Sequence, residues 1–326
     1  MKTNSKSLIL NIAIYLIIFS FCFPVNVHSQ VSSLEAQFLK MGVGPRALAM
    51  GEAFSGVADD ISAIYWNPAG LVNLKGRELL VQNMVYLFDI LHANILYGNR
   101  LSEKSGYGVS MDYLWSIDEI RDGSGDPLGN FTSYYSRLII GYAFRTSDTF
   151  SLGFDIEKLA SNLYDTLMEN FGINIGGLYT LDKFSFGLTL QNIQNNLILF
   201  EQNGPLNYTY TPESMPQIFR MGIGYKIVKG SMIAIDYSKA NDNNGYYNFG
   251  CEYSLMKTLA LRFGYILTAK SDELGGLNGM TLGLGMNTKN VCIDFVVTPK
   301  GDLGTTYAAA LKFLFSEKKQ QSFTEK

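Results

Sequence analysis

The 326-residue sequence predicts an all-β protein, a transmembrane up-and-down barrel of about 14 antiparallel strands with an N-terminal hatch in its lumen. Three observations predict it. A secretory signal opens the chain, period-two strands repeat from Glu78 onward, and the connections between them alternate short and long. Between signal and strands lies Gly42–Leu71, GVGPRALAMGEAFSGVADDISAIYWNPAGL. Its small residues and half-polar character suit a plug in front of a barrel.

Taken in order, residues 1–29 read as the signal peptide. Lys2 and Lys6 form the basic start, Leu8 to Val25 is a nearly unbroken apolar run, and Val27 and Ser29 supply small residues for cleavage after Ser29. A lipoprotein would use Cys22, but the bulky Phe21 before it does not suit that recognition. A retained anchor is the other reading; the run is barely long enough to span, and the small residues at its end favour cleavage. Residues 30–77 form the N-terminal segment and hatch, 78–315 the barrel, and 316–326 a charged tail expected to be disordered.

The strands follow from alternation. In Gly106–Ile117, Tyr107, Val109, Met111, Tyr113, Trp115 and Ile117 share one face. Gly108, Ser110, Asp112 and Ser116 share the other, with Leu114 as the exception. One apolar and one small-polar face is what separates lipid from a watery or plugged lumen. Phe150 to Glu157, Phe184 to Gln191, Leu259 to Leu267 and Met280 to Asn287 repeat the pattern. The expected spans are 78–88, 90–101, 106–117, 131–144, 149–159, 170–180, 184–195, 217–228, 231–240, 245–255, 258–268, 279–288, 290–298 and 305–315. Short connections, such as Arg145–Asp148 and Lys229–Gly230, alternate with long ones at Asp118–Asn130, Ala160–Glu169, Asn196–Pro216 and Ala269–Asn278. A soluble sandwich has no reason to keep that order.

Composition agrees. The chain has 20 Tyr, 21 Phe and only 17% charged residues, as a lipid face with aromatic girdles requires. Of 26 basic and 29 acidic side chains, removing Lys2 and Lys6 leaves 24 against 29, a net charge of −5. That argues against nucleic acid as a partner, which needs a basic stripe. With Cys22 lost in the signal, Cys251 and Cys292 fall on non-adjacent strands, and no disulfide framework is expected.

Arg46-Ala47-Leu48-Ala49-Met50-Gly51, Ala53-Phe54, Ala58-Asp59-Asp60 and Tyr65-Trp66-Asn67-Pro68-Ala69-Gly70-Leu71 resemble the N-terminal signature of PorV/PorQ-type proteins, within the FadL-like group of outer-membrane barrels. Thr298 to Thr306, TPKGDLGTT, looks like the family's penultimate loop. The departures are Pro45 for the usual alanine and Glu52 for a second glycine, which touch the local backbone of the plug. The resemblance implies a fourteen-stranded, hatch-filled barrel in the outer membrane of a Gram-negative-type bacterium, in contact with its lipid. In the PorV/PorQ branch such proteins serve type IX secretion, with the translocon, secreted cargo and a surface attachment complex as partners. In the FadL branch they carry fatty acids and other hydrophobic ligands. Length and the WNPAG form favour the first branch. A structural or adhesion barrel working through its loops is a third class.

Other motifs read structurally. Gly42-Val43-Gly44 lacks the hydrophobic strand a dinucleotide loop requires, so tight backbone packing is expected. Asp59-Asp60 is expected to cap a short helix at Ile61–Tyr65, ended by Asn67-Pro68, or to meet luminal Arg137, Arg220 or Arg262. Asp122 to Asp126 spaces oxygens somewhat like a calcium loop, but Ser133 stands where the closing glutamate belongs. A solvated outer loop is expected there, with weak calcium binding as the alternative. His92, the only histidine after the signal, falls on a polar strand face, where a satisfied luminal side chain is the better reading than a lone general base. No zinc spacing, nucleophile elbow or phosphate loop appears, so neither catalysis nor a cofactor is expected. The hatch residues singled out are Arg46, Gly51, Asp59, Asp60, Tyr65, Trp66, Asn67 and Pro68; the luminal ones are His92, Asp112, Arg137, Asp155, Arg220 and Arg262.

Overall fold

Alternation of apolar and small-polar residues builds a single antiparallel wall. The computed structural model describes residues 38–163, 166–193, 198–202, 215–228, 230–269 and 275–315. The expected signal peptide and charged tail lie outside the described residues. The strands are β1 (Arg77–Val85), β2 (Leu91–Ser102), β3 (Ser105–Arg121), β4 (Pro127–Arg145), β5 (Phe150–Leu163), β6 (Thr166–Leu181), β7 (Phe184–Gln191) and β8 (Ile198–Gln202). There follow β9 (Ile218–Val228), β10 (Ser231–Ala240), β11 (Tyr246–Met256), β12 (Leu259–Leu267), β13 (Met280–Asn287), β14 (Val291–Pro299) and β15 (Thr305–Phe315). Each wall strand pairs with its sequence neighbour, β7 pairs with β9, and β1 closes on β15 with Val81 opposite Leu311. Closure leaves fourteen strands in the wall and no open edge.

The fourteen expected spans each coincide with a wall strand to within a few residues. The expected long loops need correction. Asp118–Asn130 is mostly ladder, because β3 and β4 run 17 and 19 residues and turn at Asp122–Asp126. Ala160–Glu169 is likewise the end of the β5–β6 hairpin. Within Asn196–Pro216, β8 is a short strand laid on the outer end of β6, outside the closed wall. Above a bilayer a ribbon has no lipid face, so its residues need not alternate.

The two faces differ sharply in exposure: Ile156 is 56% exposed and Glu157, next in sequence, 3%. Tyr113 stacks on Tyr134 at 5.5 Å toward the long-loop end, and Phe184 meets Tyr225 at 4.6 Å at the short-turn end. These groups sit where the aromatic girdles of a membrane barrel belong. Cys251 on β11 and Cys292 on β14 are free thiols with two strands between them.

The hydrophobic core lies inside the barrel. Val43, Ala47, Met50, Phe54, Ile61, Ile64 and Leu71 of the N-terminal segment pack against inward Leu80, Met84, Leu96, Ile139 and Val296 of the wall. Leu114, the one apolar residue on its polar face, points inward and packs with Phe38, Leu39, Tyr135, Leu159 and Met215.

Candidate functional site

The luminal segment is the candidate site, and its backbone follows from its small residues. Gly44 takes φ 85°, bonds Gln82 through its N–H (2.7 Å) and lets Pro45 open helix α1 (Pro45–Ala49). Gly51 and Glu52 both have positive φ, 60° and 66°. That accounts for the glycine pair of the signature that Glu52 interrupts. The Glu52 carboxyl is raised by burial, offset in part by the charges of Lys300 and Arg220. Gly42 packs on Trp66 and Leu48, where a methyl group would collide, so the tight-backbone expectation describes it.

Helix α2 (Ala63–Trp66) begins two residues later than expected, and Asp60 does not cap it. The Asp60 carboxylate instead accepts the Ser62 N–H at 3.0 Å and hydroxyl at 2.6 Å. Asn67 ends the helix and starts a 3-10 turn at Pro68–Asn73, its Oδ1 accepting the Ala69 N–H. Its Nδ2 donates to Ser55 O within the segment and to Gly177 O of the wall, at 2.9 and 3.0 Å. Pro68 lies over Gly153 and Gly176, where wall side chains would strike it.

Two polar systems pin this segment. In the first, Arg46 donates to both Glu252 oxygens (2.8 and 2.9 Å) and to Asp59 (2.5 Å), with Asp60 at 3.3 Å. Asp60 also accepts from Lys312 at 3.0 Å, while Arg262 joins Glu252 to Asp294 at 2.6 Å each. Burial disfavours the Asp60 charge, but Lys312, Arg46 and the Ser62 hydroxyl outweigh it and hold the carboxyl well below its usual range. The chain of opposite charges therefore runs from β15 through the segment to β11, β12 and β14.

In the second, the Tyr65 ring lies between two guanidinium groups, Arg137 at 4.7 Å and Arg220 at 5.4 Å from its centroid. Buried cation–π contacts of this kind are worth about 2 kcal/mol each. Arg137 grips Asp112 through Nε at 2.6 Å and through Nη2, and Arg220 donates to Gln191 and covers Trp66. Tyr65 donates its hydroxyl to Leu39 O and Trp66 its indole N–H to Val43 O. Asn94 Nδ2 lies 2.9 Å from His92 Nε2 and 2.7 Å from Asp112, and His92 packs edge-on against Phe38. Asp155 accepts from Asn174 at 2.6 Å.

All the luminal residues singled out in the sequence thus face inward, but the pairings differ from expectation. Asp59 and Asp60 meet Arg46 and Lys312, not Arg137, Arg220 or Arg262. Sequence reasoning missed Glu252, Asp294, Lys312 and Asp236, whose carboxylate accepts the Phe54 and Ser55 N–H groups. A signal existed for all four. Asp236, Glu252, Asp294 and Lys312 are each flanked on both sides by apolar residues in a predicted strand, which aims them inward. In the outer turn, Asp122 Oδ1 accepts from the Ser124 and Asp126 N–H groups and so serves the turn itself.

Solved structures share this architecture. CymD, a monoaromatic hydrocarbon channel, is similar at 13% identity and TM-score 0.61, over 85% of this chain and 98% of its own. The Ralstonia pickettii toluene transporter TbuX matches at 13% identity and TM-score 0.56, over 84% and 99%. A Pseudomonas aeruginosa FadL homologue matches at 10% and 0.55, over 85% and 99%. At such identities the likeness establishes the fold, that of FadL-like outer-membrane barrels. No curated protein sequence matches. The profile of the family described as "Type IX secretion system protein PorV" matches residues 26–230, the stretch that holds the pinned luminal segment and the first half of the wall, and the chain belongs to the PorV family.

Proposed function

We propose that this protein is a non-enzymatic component of type IX secretion in the outer membrane of a Gram-negative-type bacterium, its signal peptide removed near Ser29. In this reading it accepts secreted cargo from the translocon and passes it to surface attachment subunits. The family match over residues 26–230 carries the proposal. The pinned lumen favours it too, because a charge chain across the bore leaves the outer hairpins as the working surface. Residues 30–77 act as the hatch, seated by Arg46, Asp59, Asp60, Tyr65, Trp66, Asn67 and Pro68.

One observation favours a second reading, a channel for hydrophobic solutes. A cavity of about 110 Å³ lies toward the long-loop end, walled by Met41, Leu48, Met84, Ile266 and Val296 with Lys40, Glu52 and Lys300 at its polar side. Mild purification of the tagged protein from native membranes separates the two. Translocon and attachment subunits are expected to co-purify. Recovery of the barrel alone, carrying a hydrophobic compound, would sink the secretion reading and favour the channel.

A further inference from the structure

The luminal face of β5, β6 and the end of β7 carries a cluster of oxygen atoms that neither polar system uses. Asp155, Glu157, Asn170, Asn174 and Asn192 are all buried there, each at most 6% exposed. Asp155 faces Asn174 and Glu157 faces Gly172 in the β5–β6 register. Among the described residues, four oxygens of the cluster have no hydrogen-bond donor: Asp155 Oδ2, Glu157 Oε1, Asn170 Oδ1 and Asn192 Oδ1.

Their orientation is set by the surrounding bonds. Asn174 donates to Asp155 Oδ1 and accepts the Asn192 N–H at 2.7 Å. Asn192 gives its own Nδ2 to Pro216 O at 2.8 Å, which leaves Oδ1 facing the cluster. Gly172 makes the room: a Cβ there would lie 2.8 Å from both Glu157 Oε1 and Asn192 Oδ1. Those two acceptors therefore lie within twice 2.8 Å of each other. Two bare acceptors that close call for a cation or a donor between them. The nearby guanidinium of Arg137 is already held by Asp112.

We propose that Asp155, Glu157 and Asn192, with Asn170 beside them, form a calcium site in the lumen wall near its long-loop end. The donors are hard oxygens, two of them carboxylate, with neither imidazole nor thiolate among them, which selects against zinc and copper. Calcium bonds oxygen at about 2.3–2.6 Å in irregular geometry, whereas magnesium demands a near-ideal octahedron. The carboxylates would neutralise the ion, and water would complete its shell. The site ties β5 and β6 to Asn192, which has φ 57° where β7 ends. It is independent of the secretion reading and distinct from the Asp122 turn.

The test is calorimetric titration of the intact, chelator-stripped barrel in detergent micelles with calcium chloride alone, alongside its unfolding temperature. One saturable event and a raised unfolding temperature are expected, neither reproduced by magnesium chloride at equal concentration. Glu157→Gln and Gly172→Ala should each weaken binding about tenfold or more, and Asp122→Asn should leave it unchanged. Absence of saturable binding by the natural protein would overturn the proposal by itself. So would binding that ignores Glu157→Gln and Gly172→Ala, or vanishes in Asp122→Asn.

Discussion

Asp60 concentrates the energetics of the luminal segment. It is 4% exposed, bonded to Lys312, and close to Arg46. Removing one partner of a buried pair leaves the other uncompensated, a loss of about 3–5 kcal/mol. Asp60→Asn is therefore expected to destabilise the folded barrel by that order, read from urea unfolding in micelles; a change near zero would refute the account. The pH dependence follows from the same group. Its folded carboxyl is held below the unfolded value of about 3.9 by Lys312 and Arg46. Its stabilisation is thus complete above that value and lost as pH falls through the lower folded one. Stability of the natural protein should hold from neutral pH down to about 4 and decline below it, and Asp60→Asn should flatten that decline.

At the scale of elements, the glycines on the inward strand faces record where the segment's backbone touches the wall. A Cβ at Gly187 would lie 1.9 Å from Ser55 O, and one at Gly264 would lie 2.0 Å from Gly51 N. Neither backbone can yield without unseating the segment. Gly187→Val is expected to cost about 1–3 kcal/mol or more in the same unfolding measurement. Gly177→Ala, whose methyl would meet Phe150 at an ordinary 3.5 Å, should be neutral; equal losses for both would refute the contact. This scale also divides what the sequence disclosed from what it did not. Alternation such as Phe184 to Gln191 reports a wall with lipid on one side, so the wall strands were legible. The β3–β4 extension beyond Ile117 lacks that lipid contrast, and its Gly, Asp and Asn content read as loop, while β8, five residues long, is too short to show a period. Arg46 and Asp60 stood out in the signature. Their partners Glu252 and Lys312 lie more than two hundred positions away, a distance at which local patterning carries no information.

For the whole molecule, closure of β1 on β15 and a lumen filled by packed core place the barrel among structures with no open bore along the described segment. In planar bilayers the natural protein should give no steady ionic current. Deletion of residues 42–74 should give a large one if the wall still forms, checked by its heat-modifiable migration in gels. A large steady current from the undeleted protein would contradict the packing described.

The Lys312–Asp60 bond joins positions 252 apart, from the luminal segment to β15. Lys312 stands opposite Leu80 across the seam where β1 meets β15, so the bond ties the luminal segment to the one joint that turns the sheet into a ring. Whatever pulls that joint apart also strains the lock on the interior.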